Sequence, residues 1–132
     1  QKLESSAASN VESNTSETTH MPQKETISFD QFMSMDLRVG TILEAQRVPK
    51  ADKLLQFLVD TGLDQRTIVS GVAEHFSPEE MIGKKVTVLM NLPPRKIRGV
   101  ESQGMLLMAE DADGKLKLMS PEGGAASGAL IG

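Results

Sequence analysis

Three cations, Arg95, Lys96 and Arg98, directly follow the pair Pro93-Pro94 in the stretch NLPPRKIRGVESQGMLLMAE, residues 91–110. Proline fixes its own backbone and pushes the residue before it away from helix, so these cations are expected on a stiff, exposed loop. Cations held in that way suit phosphate oxygens. An uncharged polar step, Ser102-Gln103-Gly104, then leads into an apolar strand from Met105 to Ala109. Elsewhere the chemistry is sparse. The two histidines, His20 and His75, stand far apart, and there is no cysteine, so no metal site or thiol nucleophile is expected. The glycines of EGGAASGALIG lack the Lys-Ser/Thr that completes a phosphate-cradling loop. Asp52-Lys53 reads as a local ion pair, and Glu79-Glu80 suits a helix N-terminus better than acid–base catalysis. No nucleophile, base and orienting group assemble, so the domain is expected to be non-catalytic and without cofactor.

The 132 residues allow one domain with a tail and a single modest core. No run approaches the roughly 18 apolar residues of a membrane helix, and the N-terminus lacks the basic-then-apolar order of a signal peptide. With no cysteine, a cytoplasmic location is the simplest setting. The formal net charge of −4 has the wrong sign for a nucleic-acid binder, but its distribution is uneven. From Gly83 to Val100 the chain holds Lys84, Lys85, Arg95, Lys96 and Arg98 and no acid, while acids gather at Glu79, Glu80, Glu110, Asp111 and Asp113.

The elements that must position these cations follow from periodicity and punctuation. Residues 1–26 are rich in Ser, Thr, Asn and Glu and are expected to be a flexible linker. The chain opens on Gln1 rather than Met, as a fragment or trimmed product would, and Met21 would serve as the start of a stand-alone relative. Residues 27–132 form the expected domain. Ser28 and Gln31 make a capping box and Ile27 with Phe32 a hydrophobic staple; Ser77, Pro78, Glu80 and the Phe76–Met81 pair repeat the device, and Gly83 ends that second helix. Leu37, Val39, Leu43 and Ala45 alternate along a first strand, where Gly40 suggests a bulge or sharp coil. Leu55, Phe57 and Val59 line a second; 66–70, 86–90 and 105–109 supply three more, and Asp113-Gly114 turns into a short final strand over 115–119. Five main strands with a helix between the third and fourth fit an all-β, five-stranded Greek-key barrel of the OB type, although periodicity alone also allows another small barrel.

The ordered blocks FDQFMSMDLRVGTILEAQRVPKADKLL, IVSGVAEHFSPEEMIGKKV and NLPPRKIRGVESQGM resemble the tRNA-binding domain shared by three groups of proteins. These are the C-terminal extension of bacterial methionyl-tRNA synthetases, small stand-alone bacterial tRNA-binding proteins, and the animal endothelial monocyte-activating polypeptide. The tail, 119–132, resembles that of the synthetases. The resemblance selects the OB barrel and implies binding at the outer corner of the tRNA L, by shape and phosphate with little sequence preference. It implies contacts from Lys53, Asn91, Ser102 and Met105, a clamp of Arg95, Lys96 and Arg98, and more weakly Ser70. It also implies a homodimer with the tail against the partner, and a synthetase, a methionine–tRNA ligase, upstream of Gln1.

Each of these residues has a plainer reading. Met105 opens an apolar strand and would be core, Ser102 would shape a turn, and Asn91 would cap a strand end. Phe29, Phe32, Phe57 and Phe76 all fall at expected core positions, leaving no ring on which to stack the bases of a single strand. A folded RNA is therefore favoured over an extended one. The rival is a protein-binding module, since a bacterial export chaperone uses the same barrel and eight methionines could give an adaptable apolar surface. Against it, Met33, Met90 and Met105 occupy expected core positions.

Overall fold

Alternating apolar residues make β1 (Leu37–Val48) long enough to serve two neighbours at once. Its first half pairs antiparallel with β4 (Lys85–Leu89), and from Thr41 onward it pairs with β2 (Ala51–Asp60). The computed structural model describes residues 21–132, so His20 and most of the expected 1–26 linker lie outside the described residues. The other elements are α1 (Phe29–Met33), β3 (Gln65–Ser70), α2 (Pro78–Met81), β5 (Arg95–Ile97), β6 (Val100–Ser102), β7 (Met105–Glu110) and β8 (Leu116–Leu118). Six strands form one antiparallel sheet in the order β3-β2-β1-β4-β7-β8, and β5 with β6 forms a separate hairpin. Among the described residues no helix is long and apolar enough to cross a membrane.

The sheet curls until β3 meets the chain beyond β6, and there side chains replace a regular ladder. The Gln103 amide donates to the Thr67 carbonyl at 2.8 Å, and the Gln103 Oε1 accepts from the Thr67 amide at 3.2 Å. Ser102 Oγ accepts from the Val69 amide at 2.9 Å. Inside the closed barrel Ile42, Leu55, Phe57, Val59, Ile68, Met81, Val86 and Val88 are fully buried, and Met90 nearly so. The all-β OB-like class is the one expected, with α2 between the third and fourth strands.

Several expectations need correction. Leu43 is 37% exposed because it shares the outer face of β1 with Thr41, while Gly40 and Ile42 face the core; the β1–β2 register shift between Ile42 and Glu44 then brings Ala45 inward. An extra residue on one strand swaps the parity of the side chains beyond it. Gly40 is not that bulge. A Cβ there would lie 2.7 Å from Val59 Cγ1 and 3.0 Å from Val88 Cγ2, so glycine lets core side chains close over the strand. Around α1 the Ser28–Gln31 box forms in both directions, at 2.7 and 3.0 Å, yet the helix buries none of its residues. Phe29 is 74% and Met33 58% exposed, so neither is core. Five residues make little more than one turn, and local capping fixes the chain's course without supplying an apolar stripe wide enough to pack. At α2 the Ser77 side chain makes no cap; its hydroxyl donates to Glu80 Oε2 at 3.1 Å.

The tail docks on its own chain. Gly128 donates to the Val39 carbonyl, Val39 to the Ala129 carbonyl, and Ile131 to the Leu37 carbonyl. These bonds cover the edge of β1 that β2 leaves free. Thr41 Oγ1 and Ser127 Oγ lie 2.6 Å apart, and the backbones meet at Gly62 and Gly128, where a Cβ on Gly62 would stand 2.6 Å from Gly128 Cα.

Candidate nucleic-acid interface

The stretch after Pro93-Pro94 is not the loop its prolines suggest. Arg95 pairs with Ser102, Lys96 with Glu101 and Ile97 with Val100, leaving Arg98-Gly99 as a two-residue turn. Both turn residues have positive φ, 51° at Arg98 and 82° at Gly99, the type I′ geometry that matches strand twist. Arg98 holds a conformation costing about 1–2 kcal/mol for an L-residue with a side chain. Strands of three residues are too short for alternation to show in sequence. The legible signal was Arg98-Gly99 between Ile97 and Val100.

Apolar side chains seat this hairpin. Ile97 and Val100 pack against Val48, Ala51 and Val69 beneath the β1–β2 turn, with Leu54 beside them. A groove of about 760 Å³ runs between the two hairpins, walled by Lys50–Leu54 on one side and Arg95–Arg98 on the other. It gathers Lys53, Arg95, Lys96 and Arg98, with Asp52 as the one carboxylate of its lining. Lys53 lies on β2 rather than in a turn. Among the described residues the ion pairs are Arg38–Asp36, Arg66–Asp64 and Lys117–Asp111, so Asp52 and Lys53 do not pair and no groove cation is neutralised by a described acid. Sequence reasoning missed Lys50, which shares the groove and sits at the β1–β2 turn with φ 63°. Its position after Pro49 was the available signal.

Behind the hairpin lies a smaller hollow of about 280 Å³, lined by Ser70, Gly71, Leu92, Pro93, Arg95 and Met105 among others. Met105 is 46% exposed, which removes it from the core. Arg95 lines both concavities and joins a cationic groove to an apolar one. Ser102 borders the hollow but is buried, with its hydroxyl engaged by Val69 and Gly104. Asn91 lines neither concavity. Its Oδ1 accepts from the Asp36 amide at 2.9 Å and its Nδ2 donates to the Ser34 carbonyl at 2.7 Å, which ties the end of α1 to the end of β4. Seven of the eight residues proposed from sequence thus border two adjoining concavities, and Asn91 stands apart.

A family model described as "Putative tRNA binding domain" matches residues 37–130, and the chain belongs to this family. The chain is 55% identical over 130 residues to a methionine–tRNA ligase of Flavobacterium johnsoniae, covering 98% of this chain and 18% of that protein. It is 61% identical over 111 residues to the methionine–tRNA ligase of Christiangramia forsetii, covering 83% and 16%. It therefore spans under a fifth of these relatives, corresponding to their C-terminal, non-catalytic part. Among solved structures, a methionyl-tRNA-synthetase-related protein of Pyrococcus horikoshii superposes with a TM-score of 0.77 at 40% identity, over 82% of this chain and 99% of that one. The chaperone CsaA of Bacillus anthracis superposes at 0.74 and 25% identity, over 82% and 100%.

Proposed function

We propose that this domain is a non-catalytic, structure-specific tRNA-binding module that tethers tRNA to the catalytic body of a methionine–tRNA ligase. The observation that carries this reading is the convergence of Lys50, Lys53, Arg95, Lys96 and Arg98 on one groove, with none of them paired to a described acid. Cations on a short, seated hairpin lose little freedom on meeting a rigid phosphate array, which favours folded RNA. Met105 and Ser70 extend the contact into the adjoining hollow, whereas Ser102 acts by holding its wall and Asn91 by tying the end of α1 to the end of β4. A weak general grip raises the effective concentration of tRNA at the attached enzyme, and the Ser/Thr-rich residues before Ile27 supply the tether on their composition. The setting is cytoplasmic.

A homodimer belongs to the same reading. Ile27, Phe29, Met33 and Leu130 are each more than half exposed, and a surface hollow between α1 and the tail brings Met33 and Leu130 together with Phe32, Met35 and Ile131. Clustered apolar surface of that kind favours a two-fold contact. A second reading, protein binding, draws support from the chaperone neighbours and from the exposed Met105. Competition separates the two. Unfractionated tRNA should displace single-stranded RNA of equal length, with log affinity falling about 0.7 to 0.9 per neutralised phosphate as log salt rises. Changing Arg95, Lys96 and Arg98 together to Ala should lower that slope by about two to three while leaving the fold intact. Equal binding by the triple variant removes the clamp, and preference for unfolded polypeptide over tRNA selects the chaperone reading.

A further inference from the structure

At Met90 the chain leaves the barrel for the hairpin, and by Gln103 it has returned. Both feet of this excursion are held by one side chain from β3. Arg66 Nη1 donates to the Met90 carbonyl at 2.8 Å and to the Gln103 carbonyl at 3.3 Å. Its Nε faces the Asp64 carboxylate at 3.0 and 3.2 Å, and Asp64 Oδ1 accepts in turn from the Thr61 hydroxyl at 2.7 Å. Thr61 is fully buried, so the chain of contacts runs from a fixed point to both feet. A guanidinium presents its donors in a rigid plane, which suits a group that must hold a carboxylate and two carbonyls together. Arg66 lines neither concavity, and Asp64 balances its charge. Pro93-Pro94 stiffens the outgoing arm, so a rotation at the feet would swing the whole hairpin rather than bend it.

We propose that Arg66 is a positioning residue: it fixes both feet of the β5–β6 hairpin and thereby sets where Arg95, Lys96 and Arg98 meet RNA. The inference deepens the tRNA-binding reading and rests on it for its binding arm. The experiment compares the full chain with Arg66→Gln and Arg66→Lys, by amide hydrogen exchange and by binding of unfractionated tRNA across a salt series. In both variants the β5–β6 amides should exchange about tenfold faster while the β1–β2 amides keep the parent's rates. Affinity for tRNA should fall about tenfold with the parent's salt slope, because every phosphate-binding cation is still present. Unchanged exchange in the hairpin overturns the proposal. So does an equal loss of protection throughout the barrel in both variants, which would make Arg66 a residue of general stability. A slope lower by about one in Arg66→Gln alone would make it a direct phosphate contact and overturn the positioning role. If the parent itself binds no tRNA, the proposed function fails, and the exchange rates still decide what Arg66 does.

Discussion

The Ser102 hydroxyl accepts from the Val69 amide at 2.9 Å and donates to the Gly104 carbonyl at 3.3 Å, in a position only 4% exposed. Replacing it with Ala leaves a buried amide without a partner, which costs about 1–3 kcal/mol. Urea unfolding of Ser102→Ala should therefore show a lower midpoint, and an unchanged midpoint would remove Ser102 from the seam. Asp64 makes a pH-dependent prediction at the same scale. The hydrogen bond from the Thr61 hydroxyl holds its carboxyl below the usual value of 3.8; burial opposes that lowering, and the hydrogen bond and charge of Arg66 add to it. A depressed folded-state value means that the stabilisation is present above 3.8 and is lost as pH falls through the lower folded value. The stability difference between the parent and Asp64→Asn should thus shrink as pH drops below 3.8, as read by thermal melts in a pH series. A difference that stays constant across that range would show that the carboxylate is not favoured by folding.

Between elements, the contacts that hold the tail and the hairpin differ in kind. The hairpin rests on apolar side chains and on Arg66, whereas the tail rests on backbone pairing and on the approach of Gly62 to Gly128. Gly62 also has φ 86°, so Gly62→Ala combines a left-handed strain with a Cβ placed 2.6 Å from Gly128 Cα. Backbone cannot yield as a flexible side chain can, and overpacking of this type costs about 1–3 kcal/mol. The expected outcome is an undocked tail, seen as faster exchange of the Val39 and Ile131 amides with β2–β3 protection retained. Protected Val39 and Ile131 in that variant would show that the tail does not depend on this approach.

For the molecule as a whole, the exposed apolar residues of α1 and the tail frame the prediction on assembly. A single small barrel leaves Phe29, Met33 and Leu130 in solvent, and a second copy is the proposed cover. Sedimentation or light scattering should give twice the chain mass for the full chain and one chain mass for a version ending at Met119. A monomeric full chain refutes the dimer. A dimeric truncated chain keeps the dimer but takes the tail out of its interface. Two linked copies present two grooves to one RNA, so the truncated form should bind tRNA more weakly with every groove cation intact.

Local physics was legible in the sequence wherever a residue's neighbours in the chain were also its partners in space. The Ser28–Gln31 box, the inward face of Leu55, Phe57 and Val59, and the helix between β3 and β4 depend on spacings of a few residues. The cation cluster was legible for the same reason, since Arg95, Lys96 and Arg98 lie almost together in the chain. Tertiary structure alone decided what those cations face. Lys50 and Lys53 join them across more than forty residues of chain because β1–β2 and β5–β6 are packed side by side. It also decided that Phe29 lies in solvent, that Leu43 falls on the outer face of β1, and that Ser102 is a partner of Val69. Periodicity reports which side chains share a face. Which face is covered, and by what, depends on contacts between distant segments that no short stretch of sequence contains.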